Sequence, residues 1–234
     1  MHSDKYGRTP HYPFSPGTTS DDRITRDYWS DLQQMKTVVH TEKLDGENNC
    51  LSRQGVFARS HAAPTCSPWT ATLRELWQRI KSELGELEIF LENLYAVHSL
   101  QYQKLDHHFY VFAVRENGRW LSWEEVKFYA AVLDLPTVPQ IAIEPTPRDR
   151  AVFETKIKTL VQGPGFLAPV DIATGAPCTM EGLVSRNAES FSTDAFGNNV
   201  FKWVRKNHVK TGEHWTRNWK RARLKQEGGK ECGR

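Results

Sequence analysis

Short extended patterns and capped helical patterns alternate irregularly along this chain, and that irregularity limits the fold more than any single residue does. Residues 36–42, 47–52 and 55–60 read as strands, rich in β-branched or alternating side chains. Ser67-Pro68 then opens a helix, with Ser as N-cap and Pro in the first turn. Trp69, Leu73, Leu76, Trp77, Ile80 and Leu84 recur at helical spacing until Gly85, and this stripe is a core face. Residues 87–94 and 109–115 are strands, the second apolar almost throughout and therefore buried. Ser122-Trp123-Glu124-Glu125 is a capping box for a helix to Leu133, and 138–143 is a strand. A helix from Thr146-Pro147 to Val161 is closed by Gly163-Pro164-Gly165, and strands follow at 180–186 and 198–205. A parallel sheet requires regular β-α-β alternation, which is missing. The expected class is α+β, with antiparallel sheets flanked by helices.

One domain with a basic appendage suits this order better than two domains. Residues 1–30, with Pro10, Pro13, Pro16 and Gly17, read as an irregular arm lying on the surface. Residues 31–209 form the main unit, and 210–234 a basic tail, expected as a helix. With 234 residues, 38% of them apolar and 25% charged, the chain has ample core and is not of the disordered class. No apolar run approaches the ~18 residues of a membrane span, and residues 1–17 lack the apolar centre of a signal peptide. Cys50, Cys66, Cys178 and Cys232 are scattered without a C-x-x-C pair, so reduced thiols and a cytoplasmic location are expected. His107-His108 reads as a loop pair, not a metal site, since adjacent side chains diverge.

Net charge is +3, yet Lys202 to Lys225 holds nine Lys/Arg against Glu213 alone. Such asymmetry suits a polyanionic partner, most simply nucleic acid, or else a solvated tail. Trp203, Trp215 and Trp219 interleave with these cations, either to stack on bases or to pack on the domain.

The chemistry centres on Thr41-Glu42-Lys43-Leu44-Asp45-Gly46-Glu47-Asn48, where a strand turns. A lysine drawn into a pocket can lose its proton and serve as an amine nucleophile. Asp45-Gly46 equally suits the tight turn of a solvated hairpin, and these residues alone leave both readings open. Four later stretches bear on the choice: Arg59 at the end of 56–59, Glu92 ending an apolar strand, Glu181 beside Gly182, and Lys202 within a β-patterned run. Each is ordinary by itself, and Phe112 alone would be taken as core.

In this order the stretches resemble the covalent nucleotidyltransferase superfamily of ATP-dependent ligases and capping enzymes, and most closely the nick-sealing class of RNA ligases. Lys43-Leu44-Asp45-Gly46-Glu47-Asn48 is similar to that family's K-x-D/H-G-x-N signature, and 92–102 to a bacterial and protist branch. The resemblance runs from about Thr9 to Thr216. It implies a nucleotidyltransferase domain with an ATP-grasp-like ligase core. It also implies ATP as the AMP donor, Mg2+ or Mn2+, and RNA with 5′-phosphate and 3′-hydroxyl ends as partner, handled by a monomer away from membranes. Carried over by motif, Lys43 is the nucleophile, and Glu42 borders the adenine through its backbone. Asn48 orders the phosphate end, and Arg59 lies near the ribose and incoming phosphate. Glu92 binds ribose hydroxyls or a metal water, Phe112 stacks on adenine, Glu181 is the metal-linked acid, and Lys202 contacts the α-phosphate. Asp45, Glu92 and Glu181 are expected around the metal, mainly through water. Arg59, Arg205, Lys206, Lys210, Arg217, Lys220 and Arg221 are expected to hold RNA.

An unperturbed lysine, with pKa ~10.4, is almost wholly ammonium at neutral pH. Burial and the neighbouring Lys202 are expected to lower the Lys43 value. Two departures from the family stand out. Its last motif is commonly Lys-x-Lys, whereas Trp203 and Val204 follow Lys202 here, leaving Arg205 or Lys206 for the second cation. After the catalytic unit about thirty residues remain, too few for an OB-fold or a sizeable helical domain. A DNA ligase, a capping-type guanylyltransferase and a non-catalytic RNA-binding module are the alternative readings.

Overall fold

The computed structural model describes residues 5–20, 22–59, 63–206 and 215–230. Among these residues three antiparallel sheets form, as the irregular strand–helix order predicts. The first joins β1 (Thr37–Lys43), β8 (Gln140–Pro145), β10 (Gly182–Asn187) and β12 (Val200–Val204) in the order β12-β10-β1-β8. The second joins β2 (Glu47–Ser52), β3 (Gly55–Ala58), β4 (Leu87–Asn93), β6 (Phe109–Glu116), β7 (Arg119–Trp120) and β11 (Phe191–Ser192), ordered β11-β7-β6-β4-β2-β3. A small third sheet pairs β5 (Leu100–Tyr102) with β9 (Pro169–Asp171), neither of which the sequence pattern signals.

Alternation along the strands divides their side chains between two faces. Val38, Leu183 and Phe201 of the first sheet pack with Tyr12 of the arm, Tyr28 and Leu32 of α1 (Tyr28–Leu32), and Phe153 and Ile157 of α4 (Arg150–Leu160). Fully burying a side chain such as Phe153 or Leu183 contributes ~1.5–3 kcal/mol. The second sheet buries Leu91, Val111 and Val114 against Leu73 of α2 (Ala71–Ile80) and against Trp123, Val126 and Ala130 of α3 (Trp123–Val132).

Helix boundaries show where local signals compete. The Ser122 capping box forms in full, with Ser122 and Glu125 each bonding the other's backbone N–H. Ser67 makes no capping side-chain bond. A 3-10 turn over Pro68–Thr70 precedes α2, which ends at Ile80, short of the expected Leu84. Gly85, with φ +53°, reverses the chain after a turn. α4 starts at Arg150, capped by Asp149, because the Thr146 hydroxyl is engaged on the Met35 carbonyl. The expected strands 36–42 and 138–143 are observed as Thr37–Lys43 and Gln140–Pro145.

The basic end is not a long helix among the described residues. It forms 3-10 turns at Trp215–Arg217 and Lys225–Lys230. Between them the chain lies on the domain: Val97 N–H donates to Lys220 O, Ala222 N–H to Tyr95 O, and Lys225 N–H to Leu105 O. Those backbone bonds take the place of a helical ladder. Trp219 packs near Trp69 and Tyr95, with centroids 6.1 and 6.0 Å apart, which favours packing on the domain over a free base-stacking surface. No disulfide joins Cys50, Cys66 and Cys178, and no described helix is long and apolar enough to cross a membrane.

Candidate active site

Lys43 is the last residue of β1 and sits opposite Gly182 of β10, so the strand pairing brings Glu181 to its side. Its ammonium donates to both oxygens of Glu181, at 2.7 and 2.8 Å. A Cβ on Gly182 would meet Trp203 O at 2.0 Å, so only glycine permits β10 and β12 to run this close beside the acid. At Gly46 a Cβ would lie 2.6 Å from Asn93 O, which explains the glycine in the turn after Lys43.

That turn is held by its own polar groups. Asp45 Oδ2 accepts the Ser99 and Leu100 N–H groups at 2.8 and 2.9 Å, while Asp45 N–H donates to the Tyr102 hydroxyl at 2.7 Å. Gly46 N–H donates to Glu92 Oε1 at 3.0 Å. Asn48 lies opposite Glu92 in the β2–β4 pair, and its Oδ1 is buried with no hydrogen-bond partner. Lys43, Asn48, Arg59, Glu92, Phe112 and Lys202 line one cavity of about 570 Å³, joining both large sheets. Glu42 lines it too: its Oε2 accepts Phe166 N–H at 2.8 Å and its Oε1 is buried and unbonded.

Charge in this cavity departs from expectation. Burial works to lower the Lys43 pKa, but the carboxylates of Glu181, Glu92 and Asp45 outweigh it, and the net shift is upward. Lys202 is therefore not the residue that sets the Lys43 value. Its own pKa is lowered, first by burial and also by the Lys43 and Arg59 charges, while Asp22 opposes this through a 3.4 Å contact. Burial, reinforced by the neighbouring acids, pushes Glu92 up to about 8; Glu181 reaches about 7 by burial although Lys43 opposes it. Burial alone raises Glu42 to about 7 against the Phe166 hydrogen bond.

An oxygen-only donor set with surplus negative charge fits a hard divalent cation such as Mg2+ or Mn2+. Among the described residues no three His, Cys, Asp or Glu side chains close on one point.

Sequence reasoning missed several residues of this neighbourhood. Tyr6 stands edge-on to Phe112 at 5.0 Å and packs beside Phe90, Trp120 and Phe196, closing the aromatic end. Arg186, 5% exposed, donates to the carbonyls of Leu121 and Phe112 at 2.6 and 3.4 Å, beneath that end. Asp22 bridges His11 and Lys202. Tyr6 and Asp22 lie in the irregular arm, where no periodicity announces a role.

Of the expected RNA contacts, Arg59 lines the cavity, while neither Arg205 nor Lys206 does. Arg205 donates its N–H to Glu181 O, and its Nε and one terminal nitrogen are buried without partners; Lys206 is exposed. Arg217 and Lys220 are exposed, Arg221 pairs with Glu227 at 2.6 Å, and Lys210 lies outside the described residues.

A family model described as RNA ligase matches residues 36–204. No curated protein matches the chain. Among solved structures, a Naegleria gruberi RNA ligase variant with ATP and Mn aligns over 89% of this chain and 62% of its own, at 18% identity and TM-score 0.54. A putative ATP-dependent DNA ligase from Aquifex aeolicus aligns over 86% and 50%, at 17% identity and TM-score 0.50. An archaeal ATP-dependent RNA ligase aligns over 83% and 48%, at 16% identity and TM-score 0.48. At these identities the likeness to the first two is one of fold, and the chain spans between 48% and 62% of the length of the three structures.

Proposed function

The chain belongs to the RNA ligase family, and from that premise we propose that it joins RNA ends at the expense of ATP through a lysyl-AMP on Lys43. The observation that carries this reading is the single cavity in which Lys43, bonded to Glu181, meets Asn48, Arg59, Glu92, Phe112 and Lys202. Residues 31–209 are the catalytic unit in this reading, with 1–30 as an arm and 210–234 as a basic tail.

The Lys43 amine attacks the α-phosphorus of ATP, a P–N bond forms, the P–O bond to the β-phosphate breaks, and pyrophosphate leaves. The proton lost by Nζ has Glu181 as its nearest acceptor, at 2.7 Å. Lys202 and Arg59 offset charge that develops on the phosphate oxygens, the term that dominates phosphoryl transfer. Phe112 and Tyr6 present aromatic surface to the base, and the buried Asn48 Oδ1 and Glu92 supply polar contacts. A divalent cation held through water by Glu181, Glu92 and Asp45 would screen these carboxylates and favour the neutral amine. AMP then passes to an RNA 5′-phosphate, and a 3′-hydroxyl displaces it. Positioning and charge neutralisation drive both steps, with Arg59 and the exposed Lys206, Arg217 and Lys220 available to the RNA backbone.

Labelled ATP or GTP, incubated with the chain and resolved by denaturing electrophoresis, tests this. Label from ATP alone, lost in Lys43→Ala, is expected. Label from GTP alone would support a capping-type guanylyltransferase instead, and RNA binding without any labelled protein would support a non-catalytic module.

A further inference from the structure

Between Glu92 and Leu100 the chain makes a loop whose two ends both clasp the turn after Lys43. At one end Glu92 Oε1 accepts Gly46 N–H at 3.0 Å. At the other, Ser99 and Leu100 donate their N–H groups to Asp45 Oδ2 at 2.8 and 2.9 Å. The middle of the loop is buried, with Leu94 and Ala96 each 2% exposed, so its backbone groups need partners within the protein. Leu94 N–H donates to His108 O at 2.7 Å, and Tyr95 N–H to Asn93 Oδ1 at 3.0 Å. Two further bonds come from near the end of the chain. Val97 N–H donates to Lys220 O at 2.9 Å and Ala222 N–H to Tyr95 O at 2.8 Å, so 220–222 runs antiparallel to 95–97 about an Ala96–Arg221 bridge.

Residues 219–225 are shaped for this place. Lys220, Arg221, Arg223 and Lys225 are exposed, whereas Ala222 is buried and Trp219 and Leu224 are half-buried. Ala222 enters the same apolar cluster as Leu44, Leu94 and Leu100, with Leu224 packed against it. Its carbonyl accepts His108 Nε2–H at 3.0 Å, and Lys225 N–H donates to Leu105 O at 2.8 Å. The Trp219 ring lies beside Trp69 and Tyr95, and the Arg221 guanidinium covers Tyr95 at 5.7 Å from its centroid. The loop therefore stands between this late segment and the Lys43 turn, bonded to both.

We propose that residues 219–225 are a strap that positions the nucleophile: by pairing with 95–97 they hold the loop where its ends clasp Asp45 and Gly46. Trp219 and Ala222 are its positioning residues. They act on Lys43 through the loop and touch no reacting group. The consequence for adenylation rests on the ligase reading, whereas the mechanical coupling of strap to turn does not.

Three variants of the full chain separate these claims. Ala222→Asp puts a charge into an apolar cluster and should release the strap. Trp219→Ala removes ring packing but leaves the backbone bonds. Arg223→Asp places the same charge on an exposed neighbour as the control. Hydrogen exchange of individual amides is read first, without ATP. In Ala222→Asp the Ser99 and Leu100 amides should exchange about tenfold or more faster than in the native chain, with a smaller rise in Trp219→Ala. The amides of Phe153 and Ile157, in the other core cluster, should keep their native rates, and Arg223→Asp should match the native chain throughout.

Single-turnover labelling from ATP is the second readout. The rate constant at saturating ATP should fall about tenfold in Ala222→Asp, while the half-saturating ATP concentration stays within about threefold, because the turn is misplaced and the aromatic end of the cavity is not. Partial unfolding would lower the labelled amplitude instead of the rate constant. Native exchange at Ser99 and Leu100 in both strap variants overturns the proposal, as does an equal rise at Phe153 and Ile157. A native rate constant in a variant whose Ser99 and Leu100 amides exchange faster overturns it too. Faster exchange there, in a protein whose native chain takes no label, would remove the ligase reading and leave the strap's hold on the turn standing.

Discussion

Lys43 and Lys202 stand on strands separated by β10 alone, yet their surroundings act on them in opposite directions. At Lys43, burial is outweighed by Glu181, Glu92 and Asp45, and the ammonium is favoured. At Lys202, burial outweighs the pull of Asp22, and the ammonium is disfavoured. The difference places the carboxylates, and not the second lysine, as the groups that hold the Lys43 ammonium, and on the proposed reading they set when its amine is free to react. Glu181 holds the Lys43 ammonium through both its oxygens, and in the proposed reaction it both positions and restrains that amine. Lys202, tied to the arm through Asp22 and two backbone bonds, lines the cavity and is the group we propose to face a phosphate.

Removing either side of this contrast should separate the two roles. Lys202→Ala should lower the rate of Lys43 adenylation by ~10²–10³, because a cation aimed at developing phosphate charge is lost. Single-turnover label transfer at saturating ATP measures it, and a change below about threefold would assign Lys202 a structural role. Glu181→Gln should act on the pH profile as well. Loss of the Glu181 carboxylate lets burial lower the Lys43 pKa, so the rise of rate with pH should begin at lower pH, even as the plateau falls. An unmoved profile would mean that Glu181 does not hold the amine's proton.

A smaller effect is expected on stability. Glu42 and Glu181 lie near 7 and Glu92 near 8 in the folded chain, against 4.5 when unfolded, so the folded state binds more protons in that interval. Stability should consequently fall as pH rises. Below about 6.5 the burial-lowered value of His11, near 4, works the other way, since the unfolded chain then binds more protons. Net loss of Tm is therefore expected between about pH 6.5 and 8, and added Mg2+ should restore part of it at pH 8. A Tm that rises across this window would contradict the crowded-carboxylate description.

Much of this arrangement was legible because strand pattern and residue chemistry coincide. β1 ends on Lys43, Gly46 packs against Asn93 O, and the Ser122–Glu125 box forms as its spacing demands. What escaped reading depends on distant partners. The Lys43 charge state follows from a residue 138 positions away, whose carboxylate the sequence placed near a metal but not on the amine itself. The arm's Tyr6 and Asp22 lie in a segment without periodicity, and their neighbours Phe112 and Lys202 come from far along the chain. The basic end suggested a helix by composition, but its backbone groups find partners at Tyr95, Val97 and Leu105. Asp149 outcompetes Thr146-Pro147 as the start of α4 for a similar reason, the Thr146 hydroxyl being engaged elsewhere.

The central claim is that Lys43 is the residue that takes AMP. Intact-mass measurement after incubation with ATP and Mg2+ tests it most directly, comparing the native chain with Lys43→Ala and with Lys202→Ala. The account predicts a single AMP adduct on the native chain, little on Lys202→Ala, and none on Lys43→Ala, with the adduct mapped to the peptide containing Lys43. An adduct of the same mass on Lys43→Ala, or one mapped to another lysine, would contradict it.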